Sequence, residues 1–131
     1  MSIKYKMIHR GDYLNPEEKK KTGYYPQVIR SKTVSLEEMA TIIAKGKRLQ
    51  AFEIKSTLEL LLACIEDELL DGNSVCLDGF GTFSLTAQSV RRVENPKEIR
   101  AESVEVKRVT FTPSLPLRKR LKNAKFIRAA E

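Results

Sequence analysis

The stretch Gly72-Asn73-Ser74-Val75-Cys76-Leu77-Asp78-Gly79-Phe80-Gly81-Thr82-Phe83 decides the fold. Gly72-Asn73-Ser74 reads as a turn. Val75 and Leu77 alternate with Cys76, the two-residue period of a strand. Asp78-Gly79 is a hairpin signal. Phe83 and Leu85 carry the next strand, and the chain runs on through Ala87 to Val93. A strand–turn–strand unit is thus written into residues 72–85, and every other element can be placed outward from it.

On the N-terminal side lie two helices. Ser35 is an N-cap with Glu38 three residues later, a capping box. Leu36, Met39, Ala40, Ile43 and Ala44 then recur at helical spacing, and Gly46 ends this short helix. The second helix runs from about Ala51 to Leu70 and closes at Asp71-Gly72. Ile54, Leu58, Leu61, Ile65 and Leu69 form one apolar face, but Leu60, Leu62, Ala63 and Cys64 fill the others. An amphipathic helix leaves one side wet, whereas between Leu58 and Ile65 only Glu59 is polar. The second side needs a cover, and in so small a chain we expect another subunit: an intertwined homodimer with Leu58, Leu61, Leu62, Ile65, Phe80 and Phe83 at its core. Cys64, inside this run, reads as a buried small hydrophobe.

On the C-terminal side, Asn95-Pro96 breaks the second strand, and Ser103 to Phe111 alternate again on the way back. The phase changes across Lys107-Arg108, which a bulge would produce. Between Ser84 and Thr110 lie Arg91, Arg92, Lys97, Arg100, Lys107 and Arg108, with few large apolar residues near Asn95-Pro96. This is an arm spanning about residues 86–108, basic and poor in core residues, with its turn in solvent. Pro113 stops the return strand. Ser114 caps a final basic helix with Pro116 in its first turn and a stripe of Leu117, Leu121 and Ala124. Arg118, Lys119, Arg120, Lys122, Lys125 and Arg128 cover its other faces, and no acidic residue comes before Glu131 to pair with them.

The first 33 residues read as an extension. Ile3, Tyr5 and Met7 alternate with Lys4 and Lys6, and Tyr24, Tyr25, Val28 and Ile29 make a second extended piece whose Pro26 suits an edge strand. The two pieces are expected to pair as a hairpin across the exposed loop that contains Asn15-Pro16 and Lys19 to Lys21. The division is therefore an extension, residues 1–33, and a body, residues 34–131.

Charge and composition narrow the function. The chain has 131 residues with 24 Lys+Arg and 17 Asp+Glu, a net charge of +7. Residues 1–33 carry 8 basic and 3 acidic side chains (+5), residues 34–79 carry 4 and 9 (−5), residues 80–113 carry 6 and 4 (+2), and residues 114–131 carry 6 and 1 (+5). An acidic middle between basic ends suits a polyanion such as nucleic acid ahead of mere solvation. No apolar run approaches the roughly 20 residues of a membrane span, and the charged N-terminus lacks an apolar signal core. A cytoplasmic protein is expected. Nothing favours an enzyme. Gly79-x-Gly81 lacks the third glycine of a phosphate loop and does not open a helix. Cys76 has no histidine partner, since His9 lies in the extension. Glu66, Asp67 and Glu68 are consecutive and point in different directions. No metal, cofactor or small-molecule substrate is expected, and no membrane.

The stretch quoted first resembles the signature of the HU and integration-host-factor family of bacterial architectural DNA-binding proteins: a Gly, a strand, then Gly-Phe-Gly-x-Phe, here Gly79 to Phe83. The spacing from Phe80 to Asn95-Pro96, the run Phe111-Thr112-Pro113 and the positions of Leu117 and Leu121 match the same family, so the likeness covers about residues 34–125. With its added N-terminal segment the chain is similar to the HU-like proteins of Bacteroides-type bacteria. The resemblance implies an α+β, HU-like fold: two helices, an antiparallel sheet with a protruding two-stranded arm, a short last helix, and an intertwined homodimer, with the N-terminal β extension added. It also implies a nucleoid-associated protein whose arms enter the minor groove of double-stranded DNA and bend it. HU proteins are themselves standard instances of that mode of binding, which comes here from the family and not from the residues. The residues implied are Arg91, Arg92, Asn95, Pro96, Lys97, Arg100, Lys107 and Arg108 in the arm, and Arg118, Lys119, Arg120 and Lys122 in the last helix. Lys4 and Lys6 can add contacts.

The chain departs from the pattern at the tip. Glu94 stands where the family has Arg, no Gly follows Pro96, the return strand is one residue shorter, and Pro113-Ser114-Leu115 replaces Pro-Gly-Lys. Glu94, Glu98, Glu102 and Glu105 dilute the arm's charge, and like charge repels phosphate. The alternative expectation is therefore an HU-fold protein-interaction module with weak or no DNA binding.

Overall fold

The fold is described from a computed structural model, over residues 1–10, 23–90, 92, 94–98 and 100–130. The loop expected between residues 11 and 22, with Lys19 to Lys21, lies outside the described residues, as does Arg91. The chain divides into two compact units: residues 35–120, and residues 1–34 together with 121–131.

The larger unit begins with helix α1, Leu36–Ala44. The Ser35 hydroxyl accepts from the Glu38 amide at 3.2 Å, satisfying one of the donors that every helix start leaves unpaired. Helix α2, Ala51–Leu70, ends in a Schellman turn. Gly72 takes φ +85°, its N–H donates to the Leu69 carbonyl, and the Asn73 N–H donates to the Glu68 carbonyl. Three strands follow in the order β3-β4-β5: β3, Val75–Leu77, β4, Gly81–Ser89, and β5, Val104–Pro113, all antiparallel. Leu77 pairs with Gly81, so Asp78, Gly79 and Phe80 form a three-residue loop, closed by Phe80 N–H to the Leu77 carbonyl at 2.9 Å with Gly79 at φ +76°.

The phase change across Lys107-Arg108 is a bulge. Thr86 pairs with Arg108 but Ala87 pairs with Val106, leaving Lys107 as the extra residue. Its effect on packing is direct. Val106 and Val109 are three apart and would fall on opposite faces of a regular strand. With Lys107 looped out, Val104, Val106, Val109 and Phe111 all lie on the face of Phe83 and Leu85, while Glu105 and Arg108 stay on the polar face. Phe111 stacks against Phe83 and Phe80, with ring centroids 4.9 and 5.5 Å away.

The terminal unit is a second three-stranded sheet, ordered β2-β1-β6. Strand β1, Ile3–Arg10, pairs antiparallel with β2, Gly23–Val28, from Tyr5↔Val28 to Arg10↔Gly23, and Pro26 sits on the edge strand, where its missing N–H costs nothing. The third strand corrects the reading of the tail. Helix α3 spans Leu115–Lys122 only, so Ala124, Lys125 and Arg128 are not on it. After a turn, with Ala124 N–H bonded to the Leu121 carbonyl, Phe126–Arg128 form β6, parallel to β1 in the register Ile3↔Phe126. The Ile3 amide donates to the Lys125 carbonyl and the Ala129 amide to the Tyr5 carbonyl, both within 2.9 Å, and the Phe126 ring meets Tyr5 edge-on. Two backbone bonds and an edge-on aromatic contact outweigh the helical propensity of an otherwise charged tail.

Burial is sparse. Ala40, 1% exposed, is the one fully buried hydrophobic residue among those described. Leu60 is 72% exposed, Leu62 52% and Phe80 47%. Cys64 is exposed within the single chain as well.

Candidate nucleic-acid interface

The arm grows from the sheet body past the bulge. Beyond Lys107 the ladder holds three pairs, Ala87↔Val106, Gln88↔Glu105 and Ser89↔Val104, and ends on Val90 N–H to the Ser103 carbonyl at 2.7 Å. The arm's far end is two single-turn 3-10 segments, Pro96–Glu98 and Ala101–Ser103. Pro96 has no N–H for a ladder, and the Asn95 side chain accepts from the Lys97 amide at 3.1 Å, an Asx turn that replaces strand pairing. Arg92, Asn95, Pro96, Lys97 and Arg100 are all exposed there, with Glu94 among them. Lys107 and Arg108 are exposed at the bulge. On the polar face of the arm Glu105 accepts from the Gln88 amide at 2.8 Å.

Helix α3 presents a second set of cations. The Ser114 hydroxyl accepts from the Leu117 amide at 3.2 Å, and the Ser114 amide donates to the Phe80 carbonyl at 2.9 Å, so the helix start is tied to the signature turn. Arg118, Lys119 and Lys122 are exposed along it. Arg120 has a role that its place in a basic run did not announce: its Nη2 donates to the Gly79 carbonyl at 2.9 Å, bracing the same turn from the other side.

A family profile described as an HU domain fused to a winged helix-turn-helix, Ig or glycine-rich motif (HU-HIG) matches residues 1–128. The chain belongs to this family. The HU-HIG chain is 38% identical over 90 residues to the DNA-binding protein HU of Buchnera aphidicola subsp. Acyrthosiphon pisum, a match covering 66% of this chain and 91% of that one. It is 43% identical over 60 residues to the protein of the same name in the subspecies Baizongia pistaciae, covering 46% of this chain and 65% of the relative. Its fold is shared, with a TM-score of 0.68 at 15% identity, by a putative DNA-binding protein of Bacteroides vulgatus whose crystal structure aligns with 99% of this chain. The chain spans 49% of that protein's length.

In the HU-HIG fold the residues expected at a dimer core share one property: none is buried within the chain. Leu61, Leu62 and Phe80 are exposed, while Leu58, Ile65 and Phe83 are half-buried. Leu49, Ile54 and Leu58 line an apolar groove along α2. Among the described residues no cluster of His, Cys, Asp or Glu is placed to hold a metal, and no helix is long and apolar enough to cross a membrane. Reading along the sequence did not single out Gln27 and Arg30, which line a shallow groove beside Lys6 in the terminal sheet. The signal that unites them is strand register, which exists only once β1 and β2 are paired.

Proposed function

We propose that the protein is a homodimeric architectural protein that binds double-stranded DNA through its arms, largely without sequence preference, and bends it as a nucleoid-associated component of the bacterial cytoplasm. The observation that carries this reading is the bulged ribbon β4–β5, whose far end exposes Arg92, Lys97 and Arg100 around Asn95-Pro96. No core requires cations there, and a two-stranded ribbon is of a size to enter a DNA groove. In the minor groove these side chains, with Arg91, Lys107 and Arg108, would meet phosphates and groove edges, and Pro96 would press against a base step and favour a kink. Arg118, Lys119, Arg120 and Lys122 would extend the footprint along the bent duplex, Arg120 through the donors its bond to Gly79 leaves over. Binding that draws on phosphate charge and duplex deformability discriminates little between sequences. The family membership and the names of the relatives support the same reading.

The homodimer is supported by the apolar surface of α2 and of the sheet face bearing Phe83, Val109 and Phe111. Water against so many large side chains is unfavourable by roughly 25 cal/mol per Å², and a second copy offers the same surface in return.

A gel shift against linear, nicked and cruciform duplexes over a salt series tests the proposal. Binding at low salt that weakens steeply as salt rises is expected. Replacing Arg91, Arg92 and Pro96 together by alanine should weaken binding and reduce the bend while leaving the dimer intact; unchanged affinity and bend would remove the arm from the interface. The four arm glutamates favour the second reading, an HU-fold protein-interaction module, and absence of binding to all three duplexes at low salt would leave that one standing.

A further inference from the structure

The division into two compact units redistributes the charge. Residues 35–120, the HU-like body with its arm, hold 13 basic and 13 acidic side chains; residues 1–34 with 121–131 hold 11 and 4. The whole net charge of +7 therefore belongs to the terminal unit. Among the described residues of that unit there is no Asp or Glu.

Three of the lysines also share a face. Alternation along β1 puts Lys4 and Lys6 on one side of the sheet, with Tyr5 and Met7 on the other. The parallel register with β6 continues this row to Lys125, one residue before the strand, on the side of Lys4. Lys6 lies directly opposite Gln27, and Lys6, Gln27 and Arg30 line one shallow groove. Lys4, Lys6, Lys125 and Arg30 are exposed, and no ion pair or side-chain hydrogen bond among the described residues engages them. The opposite face has Tyr5, Met7, Pro26 and Phe126 around one recess and carries one cation, Arg128, in register with Tyr5, while Ile127, in register with Lys4, sits on the face of the lysines. A sheet face that gathers cations and excludes carboxylates raises self-repulsion, which an anionic partner relieves.

We propose that this face of the terminal sheet is a second contact surface for duplex DNA, gripping the phosphate backbone through Lys4, Lys6 and Lys125, with Gln27 and, from the groove at the edge of β2, Arg30 as added donors, and that it supplies most of the protein's electrostatic attraction to DNA. The proposal rests on the DNA-binding reading above and places the main phosphate grip outside the arm. Lys4 and Lys6 stand about 7 Å apart along one side of the strand, so they reach separate phosphates. Contacts of this kind position a protein on the duplex without reading sequence.

The test is a salt titration of binding to a 30-base-pair random-sequence duplex, using the full chain with Lys4, Lys6 and Lys125 all changed to Gln, and a companion with the same three changed to Arg. Each lost phosphate contact makes the slope of log K against log salt shallower by about 0.9. The expected result is a slope shallower by about 2 to 3 for the Gln variant and an affinity at low salt at least tenfold weaker, with wild-type behaviour for the Arg variant and unchanged circular dichroism for both. A Gln variant with the wild-type slope and affinity overturns the proposal while leaving the arm reading intact. Failure of the wild-type chain to bind the duplex at low salt overturns both.

Discussion

Gly81 carries the tightest constraint in the sheet. A Cβ built there would lie 2.7 Å from the Thr112 carbonyl oxygen and closer still to the Phe111 ring. The glycine is what lets β4 and β5 approach while Phe111 stays stacked on Phe80 and Phe83. We expect Gly81→Ala to cost about 1–3 kcal/mol through overpacking, read as a lower midpoint in urea; a variant as stable as wild type would mean that Phe111 repacks freely. At this scale the sequence was informative about turns and caps. Ser35, Gly72 and Ser114 do what their residue types announce. It was silent about Arg120, because a side chain in a run of cations carries no mark of which one will find a carbonyl 41 positions away.

Among the elements, α2 was legible from end to end. Its apolar content, its length and its glycine stop agree with one another, and the structure places it at Ala51–Leu70. The same content predicts its behaviour. Leu62 is 52% exposed in the chain, so in the proposed dimer Leu62→Asp would put an unpaired charge against apolar side chains, which burial strongly disfavours. Sedimentation should find this variant monomeric or unfolded at concentrations where wild type is a dimer, and an unaltered dimer would place Leu62 outside the interface. The bulge was legible too, because a break in alternation has few other causes. β6 was not. Phe126-Ile127-Arg128 is too short for a period to show, and its partner, β1, lies more than 100 residues away. A parallel pairing over such a distance leaves no local trace, since its hydrogen bonds involve backbone that every residue possesses.

The whole molecule buries very little on its own. With Ala40 as the one fully buried hydrophobic residue among those described, hydrophobic burial within a single chain falls short of what offsets the entropy of ordering it. Folding and association should therefore be coupled. The melting temperature is expected to rise with protein concentration across a hundredfold range, as mass action requires of an obligate dimer, and an invariant melting temperature would show a self-sufficient monomer. Charge belongs to this scale as well. Counted along the chain it is spread over both ends and the arm; counted by compact unit it is neutral in the body and +7 in the terminal unit.

The sequence by itself determined the strand–turn–strand core, the two helices before it, the bulged return strand and the family to which they belong, because those features rest on local periods, caps and turns whose physics acts within a few residues. Only the tertiary structure decided where the tail goes, which cations share a face and which apolar side chains stay uncovered. Those outcomes depend on pairings between residues far apart in the chain, and the charge whose segments pointed to both ends is drawn together at one sheet by a single parallel pairing of β6 with β1.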